Sequence, residues 1–301
     1  MESFIVLVGN RQDRALKGVI PVLLPVLAAA GNAMGRWLHD GIAYEFGPSD
    51  GIDEDILREV RHICFENRID VFVIPEPDRR KKLLLADMDA TIVCGETLDD
   101  LAELAGLGEE ISDITAQAMR GELDFEEALR ARVAMLKGVS ESLLFEAFSR
   151  MELSAGAEVM VRVMRQAGAE CVLVSGGFTF FTSRIAERCG FSLHHGNELD
   201  VFDGVLTGEV IPPILDKGAK LSYLHKYASR LGLDLSETAA VGDGANDLPM
   251  LEAAGIGVGY RPKPLVLEKV SNSIIFSDLI SLLYMQGYGE ADLLPFLSDA
   301  S

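Results

Sequence analysis

The chain has 301 residues, about twice the size of a typical domain, which predicts two domains. Hydrophobic residues make up 49% of it and charged residues 25%, a balance that excludes a wholly disordered chain. Its 47 Asp and Glu against 27 Lys and Arg give a net charge of −20. A surface that binds nucleic acid needs clustered cations to displace counterions, so this charge argues against a nucleic-acid partner.

The residues 1–80 alternate between strand and helix patterns in the order βαββαβ. The patterns predict strands at 4–8 and 71–74, helices at 14–31 and 53–66, and a hairpin over 34–46 around Gly41. This order indicates a small α+β unit with its helices on one face of a sheet. The apolar run 18–30 imitates a signal peptide. Pro21 and Pro25 interrupt it, however, and it is too short to span a bilayer, so we expect a core helix and no membrane partner.

A second unit follows residues 75–82, whose prolines and charges are typical of a linker, with four consecutive cations that we expect to be solvated. Short apolar runs then alternate with helical patterns, which predicts a doubly wound parallel α/β sheet. The runs are 83–87, 171–175, 239–243, 256–258 and 273–276, and the helical segments are 156–167, 179–189, 218–231 and 247–254. Residues 197–211 look like a hairpin. We therefore predict an α+β domain of residues 1–80 and a second domain of residues 81–301.

A long helical insert interrupts the second domain between its first two strands. Residues 96–152 are too long for an ordinary crossover, so we interpret them as a separate helical cap over a core of residues 81–95 and 153–301. The four cysteines lie far apart with no CxxC pair: Cys64, Cys94, Cys171 and Cys189. Their spacing favours reduced, buried thiols in a cytoplasmic protein over disulfides or a zinc site.

Polar residues stand where the predicted parallel strands end. Asp87 and Asp89 follow the first strand, Ser175 ends the second, and Asp243 ends a later one. Ligands of open α/β sheets bind at this edge. Three acids that converge there would repel one another unless a cation lies among them. Mg²⁺, a hard ion that prefers oxygen ligands and phosphate, fits this arrangement.

These residues belong to longer motifs. Residues 87–91 read Asp-Met-Asp-Ala-Thr, a DxDxT pattern, and are followed by Ser-Gly-Gly at 175–177, Lys220, and Gly-Asp-Gly-Ala-Asn-Asp at 242–247. In this order and spacing they resemble the haloacid dehalogenase superfamily of aspartyl-phosphate phosphatases, and residues 83–260 are similar to its phosphoserine phosphatases. The resemblance implies a Mg²⁺-dependent, cytoplasmic hydrolase that converts O-phosphoserine to serine and phosphate in the last step of serine biosynthesis.

The resemblance also implies catalytic roles. Asp87 would attack phosphorus and form an acyl phosphate, which divides hydrolysis into two easier steps. Asp89 would protonate the leaving serine oxygen and then deprotonate the attacking water. Mg²⁺ would be held by Asp87, the backbone carbonyl of Asp89, and Asp243. Ala90 departs from the family pattern, which has Ser there, and this removes only a secondary hydroxyl because Thr91 remains.

The remaining matched residues would bind the substrate. The phosphate would be bound by Ser175, Gly176, Gly177 and Lys220, with Lys217 as the alternative lysine. Asn246 and Asp247 would hold the loop, a metal-bound water or the phosphate. In the cap, Glu96 would bind the ammonium group of phosphoserine and Arg132 its carboxylate, a match suited to the planar guanidinium. Met119 and Phe125 would form an apolar wall over the substrate.

Three other interpretations stay open at this point. One is a phosphotransferase that passes the phosphoryl group to another alcohol such as homoserine, and another is a phosphatase of this fold for a different small ester. The third is an inactive amino-acid sensor whose functional part is residues 1–80. That segment has the element order of an ACT-type regulatory module, which suggests feedback by serine and a homodimer formed through it.

Overall fold

The computed structural model describes residues 2–29, 35–50, 53–75, 78–119, 122–216 and 218–297. The first part of the chain forms a four-stranded antiparallel sheet with strand order β2-β3-β1-β4. Its elements are β1 (Glu2–Gly9), α1 (Leu16–Ala29), β2 (Gly35–His39), β3 (Ala43–Asp50), α2 (Glu54–Glu66) and β4 (Ile69–Pro75). The predicted order βαββαβ is therefore correct. Leu7, Leu23 and Val60 are fully buried in one cluster between sheet and helices.

The second sheet has seven strands in the order β11-β10-β9-β5-β6-β7-β8. The strands are β5 (Leu83–Ala86), β6 (Glu170–Phe178), β7 (Leu193–Phe202), β8 (Val205–Ile211), β9 (Thr238–Gly242), β10 (Ile256–Tyr260) and β11 (Asn272–Ile274). All neighbours pair in parallel except β7 and β8, which form the antiparallel hairpin predicted from the sequence.

Helices cover both faces of this sheet. They are α7 (Ala157–Gln166), α8 (Thr179–Cys189), α9 (Ala219–Leu231), α10 (Leu248–Ala253), α11 (Pro264–Lys269), α12 (Ser281–Met285) and α13 (Glu290–Leu297). In β5, Leu84 and Ala86 belong to one apolar cluster, whereas Leu83 and Leu85 belong to another on the opposite face. A continuous apolar strand that is buried on both faces is what a doubly wound sheet requires. The predicted fold class is confirmed.

The insert between β5 and β6 is helical, with α3 (Thr97–Leu104), α4 (Gly108–Met119), α5 (Phe125–Met135) and α6 (Ser142–Arg150). Backbone hydrogen bonds join its α5–α6 loop to the β7–β8 hairpin. The N–H of Gly138 donates to the carbonyl of Leu206 and the N–H of Leu206 to the carbonyl of Val139, both at 2.8 Å. The cap is thus attached to the core on this side. No helix of the described ranges is both long and apolar enough to cross a membrane.

The strand end and the exposure of the linker cations agree with the sequence expectations only in part. The strand predicted over 273–276 ends at Ile274, because the next backbone N–H groups donate to the buried carboxylate of Asp70. The linker cations are not all solvated: Arg79 pairs with Glu45 at 2.6 Å, and buried Lys81 donates to backbone carbonyls. A carboxylate or carbonyl partner makes burial of such a cation tolerable.

The cysteines are unpaired thiols, as expected from their spacing. Cys64, Cys171 and Cys189 are buried, and burial raises the pKa of each thiol to about 12. Cys94 was expected to be buried like the other three but is exposed, at the loop that leads into the cap.

Candidate active site

The candidate site lies at the carboxyl ends of three adjacent strands, β9, β5 and β6. Asp87 follows β5, Asp243 follows β9, and Ser175 lies towards the end of β6. The N–H of Asp87 donates to the carbonyl of Val241 at 3.0 Å, which joins the end of β5 to β9. Because parallel neighbours end at one edge of the sheet, the side chains that the sequence predicts to converge are brought to that edge.

A tight turn over Met88–Ile92 follows Asp87. Within it, Ala90 has a φ angle of 51°, in the left-handed region that few residues other than glycine adopt. The N–H of Ala90 donates to the carbonyl of Gly95 at 2.8 Å. This bond closes the turn and leads the chain directly into the cap.

Asp89 connects the core to the cap through its two carboxylate oxygens. Its Oδ1 accepts the N–H of Thr97 at 2.9 Å, at the start of α3, and its Oδ2 accepts the hydroxyl of Ser175 at 3.0 Å. Ser175 Oγ in turn accepts the N–H of Gly177 at 2.8 Å. A Cβ on Gly177 would lie 3.0 Å from Asp89 Oδ2 and Ser175 Oγ, so only glycine leaves this corner open.

Lys220 lies between two buried carboxylates. Its Nζ is 2.7 Å from Asp87 Oδ1 and 2.5 Å from Asp247 Oδ1. Burial, together with the nearby charge of Asp247, raises the pKa of Asp87 well above its usual range, although Lys220 opposes this shift. Burial by itself would lower the pKa of Lys220, but the two carboxylates outweigh it and raise that pKa. The site therefore holds its lysine cationic.

Three carboxylates form a group that a cation fits. Oxygens of Asp87, Asp243 and Asp247 all lie within 4.8 Å of one another, and the three residues are buried. Asp247 Oδ2 also accepts the backbone N–H groups of Asp243 and Gly244, which orients the loop. Buried hard oxygen donors with excess negative charge suit a divalent ion such as Mg²⁺. The carboxylate of Asp89 lies outside this group, and the contribution of its backbone carbonyl stays a prediction.

Most of the predicted substrate residues line one cavity of about 790 Å³ that runs from the acidic centre to the cap. Its walls include Asp87, Asp89, Glu96, Phe125, Arg132, Gly176, Gly177, Asp243 and Asn246. Ser175 and Lys220 line an adjoining cleft together with Phe125 and Asn246. The side chain of Met119 and the alternative lysine Lys217 lie outside the described residues.

The cap side of the cavity carries opposite charges. Burial and nearby Asp89 raise the pKa of Glu96, and Lys263 opposes this effect. Burial lowers the pKa of Arg132, against the influence of Asp99 and Glu96. The Nε of Arg132 donates to the carbonyl of Ala128 at 3.2 Å, which holds the guanidinium along α5.

Residues 84–252, more than half of the chain, match the haloacid dehalogenase-like hydrolase family. The chain belongs to this family. Among its relatives is a phosphoserine phosphatase of Streptococcus thermophilus, 43% identical over 203 residues that cover 67% of this chain and 94% of the relative. Another is a phosphoserine phosphatase of Streptomyces coelicolor, 40% identical over 209 residues, 69% of this chain. The chain spans about half (51%) of the length of that relative.

Solved structures of this haloacid dehalogenase-like family extend the similarity. A family hydrolase from Salmonella enterica serovar Typhi superposes with a TM-score of 0.81 at 31% identity, over 94% of this chain and 98% of that one. This coverage includes the N-terminal sheet. A structure described as a phospho-aspartyl intermediate analogue of phosphoserine phosphatase superposes with a TM-score of 0.63 at 40% identity, over 68% of this chain and 98% of that one.

Two residues of this haloacid dehalogenase-like site were missed by the sequence analysis. Buried Asn197 donates through Nδ2 to the carbonyl of Gly176 at 2.7 Å and accepts the N–H of Leu215 at 2.8 Å, so it fixes the end of β6. Lys263 lies 3.2 Å from Glu96 and 3.1 Å from Asp243. Asn197 belongs to no motif, but Lys263 follows β10, a further strand that ends at the same edge, and that position was the available signal.

Proposed function

We propose that this chain hydrolyses O-phosphoserine to serine and inorganic phosphate, with Asp87 as the nucleophile. The observation that carries the proposal is the single cavity shared by Asp87, Asp89, Glu96 and Arg132. It combines the groups for phosphoryl transfer with one acid and one base that suit an amino-acid leaving group. The resemblance of residues 84–252 to haloacid dehalogenase-like hydrolases supports the same chemistry.

The first step replaces the ester bond by an acyl phosphate. A carboxylate oxygen of Asp87 attacks phosphorus, and the bond from phosphorus to the serine oxygen breaks. Asp89, within hydrogen-bonding distance of Ser175, gives its proton to that oxygen, so serine leaves as a neutral alcohol. In the second step Asp89 takes a proton from water that attacks phosphorus. The bond from phosphorus to the Asp87 oxygen breaks, so inorganic phosphate leaves and the Asp87 carboxylate is restored.

The other residues of the site stabilise the negative charge of the transferred phosphoryl group. Lys220, the Ser175 hydroxyl and the backbone of Gly176 and Gly177 can bind the oxygens of the transferred group. Asp87, Asp243 and Asp247 have the donor chemistry to hold Mg²⁺, with the Asp89 carbonyl as a further ligand. When bound, the ion supplies positive charge that offsets the repulsion between these carboxylates and the phosphate.

The cap residues account for the choice of ester. Glu96 can pair with the substrate ammonium, Arg132 can bind its carboxylate through two nitrogens, and Phe125 forms an apolar wall beside Gly176. Phosphotransfer to homoserine, or hydrolysis of an ester without an amino acid, would use the same nucleophile. Only an amino-acid ester requires both cap charges.

We also propose a regulatory role for the N-terminal sheet and its two helices. The proposal divides the chain into an ACT-like unit of residues 1–80 and a phosphatase unit of residues 81–301 with its cap over 96–152. The order of strands and helices in the N-terminal unit supports this interpretation. Serine feedback, a homodimer through that unit, the role in serine biosynthesis and the cytoplasmic location belong to the same proposal.

Phosphate release from a panel of phosphorylated small molecules, with Mg²⁺ and then with EDTA, tests this function. We expect phosphoserine to be the best substrate, EDTA to stop turnover, and Asp87→Asn to lower it by about 10⁴-fold or more. Arg132→Ala should raise KM for phosphoserine by about 10- to 100-fold, because the substrate carboxylate loses a charged hydrogen bond. Asp113→Asn, an exposed carboxylate of α4, is the control and should match the wild type.

The same assay separates the alternatives. A wild-type chain that releases no phosphate, or an Arg132→Ala variant with unchanged KM, would contradict the proposal. Phosphate release that falls when homoserine is added, with phosphohomoserine formed, would indicate the phosphotransferase instead.

A further inference from the structure

Lys263 contacts the cap and the core at the same time. Its Nζ is 3.2 Å from Glu96 Oε1 and 3.1 Å from Asp243 Oδ2, and its side chain is 53% exposed at the edge of the cavity. Glu96 is the cap acid proposed for the substrate ammonium, and Asp243 is one of the three metal-binding acids. One flexible lysine thus neutralises two carboxylates that the reaction needs for other cations.

The backbone holds Lys263 in this position. Its N–H donates to the carbonyl of Asp243 at 2.9 Å, and its carbonyl accepts the N–H of Val266 at the start of α11. Two residues earlier, Arg261 has a φ angle of 41°, and its N–H donates to the carbonyl of Ile274. A residue other than glycine in the left-handed region is strained, and such strain persists where surrounding contacts impose it.

The charged residues that line the cavity around Lys263 are mainly acidic. Seven acidic residues line the cavity, and Arg132 and Lys263 are its two lining bases, among the residues that the structure describes. Burial and the neighbouring Asp89 already disfavour a charged Glu96, so an unpaired Glu96 would be costly beside an incoming phosphate dianion. Lys263 relieves that cost while the substrate is absent.

We infer that Lys263 is the resident counter-ion of Glu96 and Asp243 and, through this, a specificity-determining residue that substrate and metal must displace. The inference rests on the proposed function. An amino-acid ester brings its own ammonium to Glu96 and competes with Lys263 there. A phosphate ester without an ammonium leaves the Lys263–Glu96 pair in place, so Lys263 lessens the penalty for the wrong substrate. A divalent cation competes with Lys263 at Asp243.

Lys263→Met, which keeps the apolar stem and removes the charge, separates these effects. Titration calorimetry of the full chain with Mg²⁺, without substrate, should give a Kd lowered by about five-fold, the usual size of a partly exposed ion pair. KM for phosphoserine should fall by a similar factor, and KM for 3-phosphonooxypropanoate, which lacks the ammonium, should rise. The turnover number for phosphoserine should change little.

Two further variants control the experiment. Lys263→Arg restores the charge and should restore both the Mg²⁺ affinity and the KM ratio of the wild type. Lys269→Met removes an exposed lysine at the end of α11, the helix that Lys263 precedes, and should change neither quantity. A higher KM for phosphoserine in Lys263→Met, or an unchanged Mg²⁺ Kd, would overturn the inference. The Mg²⁺ titration needs no turnover, so failure of the proposed function would show separately, as absent hydrolysis by the wild type.

Discussion

At the scale of single residues, the site illustrates what sequence motifs can and cannot indicate. Asp87, Lys220 and Asp247 were all identified because their motifs, in this order and spacing, resemble those of the haloacid dehalogenase family. Asn197 and Lys263 were not. Their roles come from the neighbours that folding gives them, Gly176 for one and Glu96 for the other. Asn197 belongs to no motif, and the position of Lys263 after β10 indicates the edge of the sheet but not its contact with Glu96.

The buried carboxyl group of Asp278 should make the stability of the fold depend on pH. Burial raises its pKa from 3.8 to about 6, against the opposing effects of Arg11 and of the Ile280 N–H that donates to its Oδ1 at 2.9 Å. Well below pH 3.8 Asp278 is protonated in both the folded and the unfolded chain and costs nothing. Between pH 3.8 and about 6 the unfolded chain loses the proton while the folded chain keeps it, so the free energy of unfolding falls over this range and levels off above it.

Asp278→Asn should remove this loss while keeping an oxygen that can accept the Ile280 N–H. We expect the variant to be more stable than the wild type at pH 7 by about 1–2 kcal/mol, since the loss of the Arg11 contact offsets part of the gain. The difference should shrink steadily as pH falls from 6 to 4. Urea unfolding between pH 4 and 7.5 measures it, with the exposed Asp113→Asn as control. A difference that does not vary with pH would contradict the assignment.

At the scale of elements, the cap is attached on one side rather than free. The Glu141 N–H donates to the Gly204 carbonyl at 2.9 Å, in addition to the bonds that join Gly138 and Val139 to Leu206. The hairpin predicted over 197–211 therefore supports the cap, a function that its turn sequence does not reveal. The sequence predicted the hairpin because Asp-Gly turns act locally, but it did not predict the docking, which depends on tertiary packing.

Gly208 of β8 sets how closely α5 approaches the hairpin. A Cβ there would lie 2.9 Å from Lys137 Cβ and 3.2 Å from the Ala134 carbonyl oxygen, and its φ is +84°. Gly204 has a φ of +74° but nothing within 4 Å of such a Cβ. The pair therefore shares the backbone penalty and differs in the clash, which makes Gly204 a matched control.

Gly208→Ala should displace the end of α5 that carries Arg132. We expect Gly204→Ala to lower the free energy of unfolding by about 1 kcal/mol, and Gly208→Ala by about 2–4 kcal/mol because overpacking adds to the strain. Only Gly208→Ala should also raise KM for phosphoserine, by several-fold. Urea unfolding and steady-state kinetics measure both effects. Equal behaviour of the two variants would show that the contact with α5 does not position Arg132.

At the scale of the whole molecule, the two sheets are joined by polar contacts between distant parts of the sequence. The Nδ1 of His39 is 2.8 Å from the Tyr284 hydroxyl, and Val73 donates its N–H to Asn272 Oδ1 at 3.3 Å. Sequence periodicity predicted both sheets, because each strand and helix carries its own pattern. It did not predict their docking, since the partners are 245 and 199 residues apart in the sequence and are individually ordinary residues.

Asp70 of β4 makes several hydrogen bonds to the core just after β11. It ends the pairing of β11 by accepting the N–H groups of Ile275, Phe276 and Ser277 and the hydroxyl of Ser277, at 2.5 to 3.3 Å. It is 3% exposed. Removal of one buried acceptor leaves several donors unsatisfied, each at a cost of about 1–3 kcal/mol when water cannot replace it. We therefore expect Asp70 to couple the unfolding of the N-terminal sheet to that of the core.

Asp70→Ala tests this coupling because the chain contains a single tryptophan, Trp37, in β2 of the N-terminal sheet. In the wild type, urea unfolding followed by Trp37 fluorescence and by far-ultraviolet circular dichroism should give one coincident transition. In Asp70→Ala the fluorescence transition should move to lower urea than the main dichroism transition, since the sheet loses its anchor on the core. Asp55→Ala, exposed on α2, should leave the two transitions coincident. Coincident transitions in Asp70→Ala as well would mean that the other interface contacts suffice to hold the sheets together.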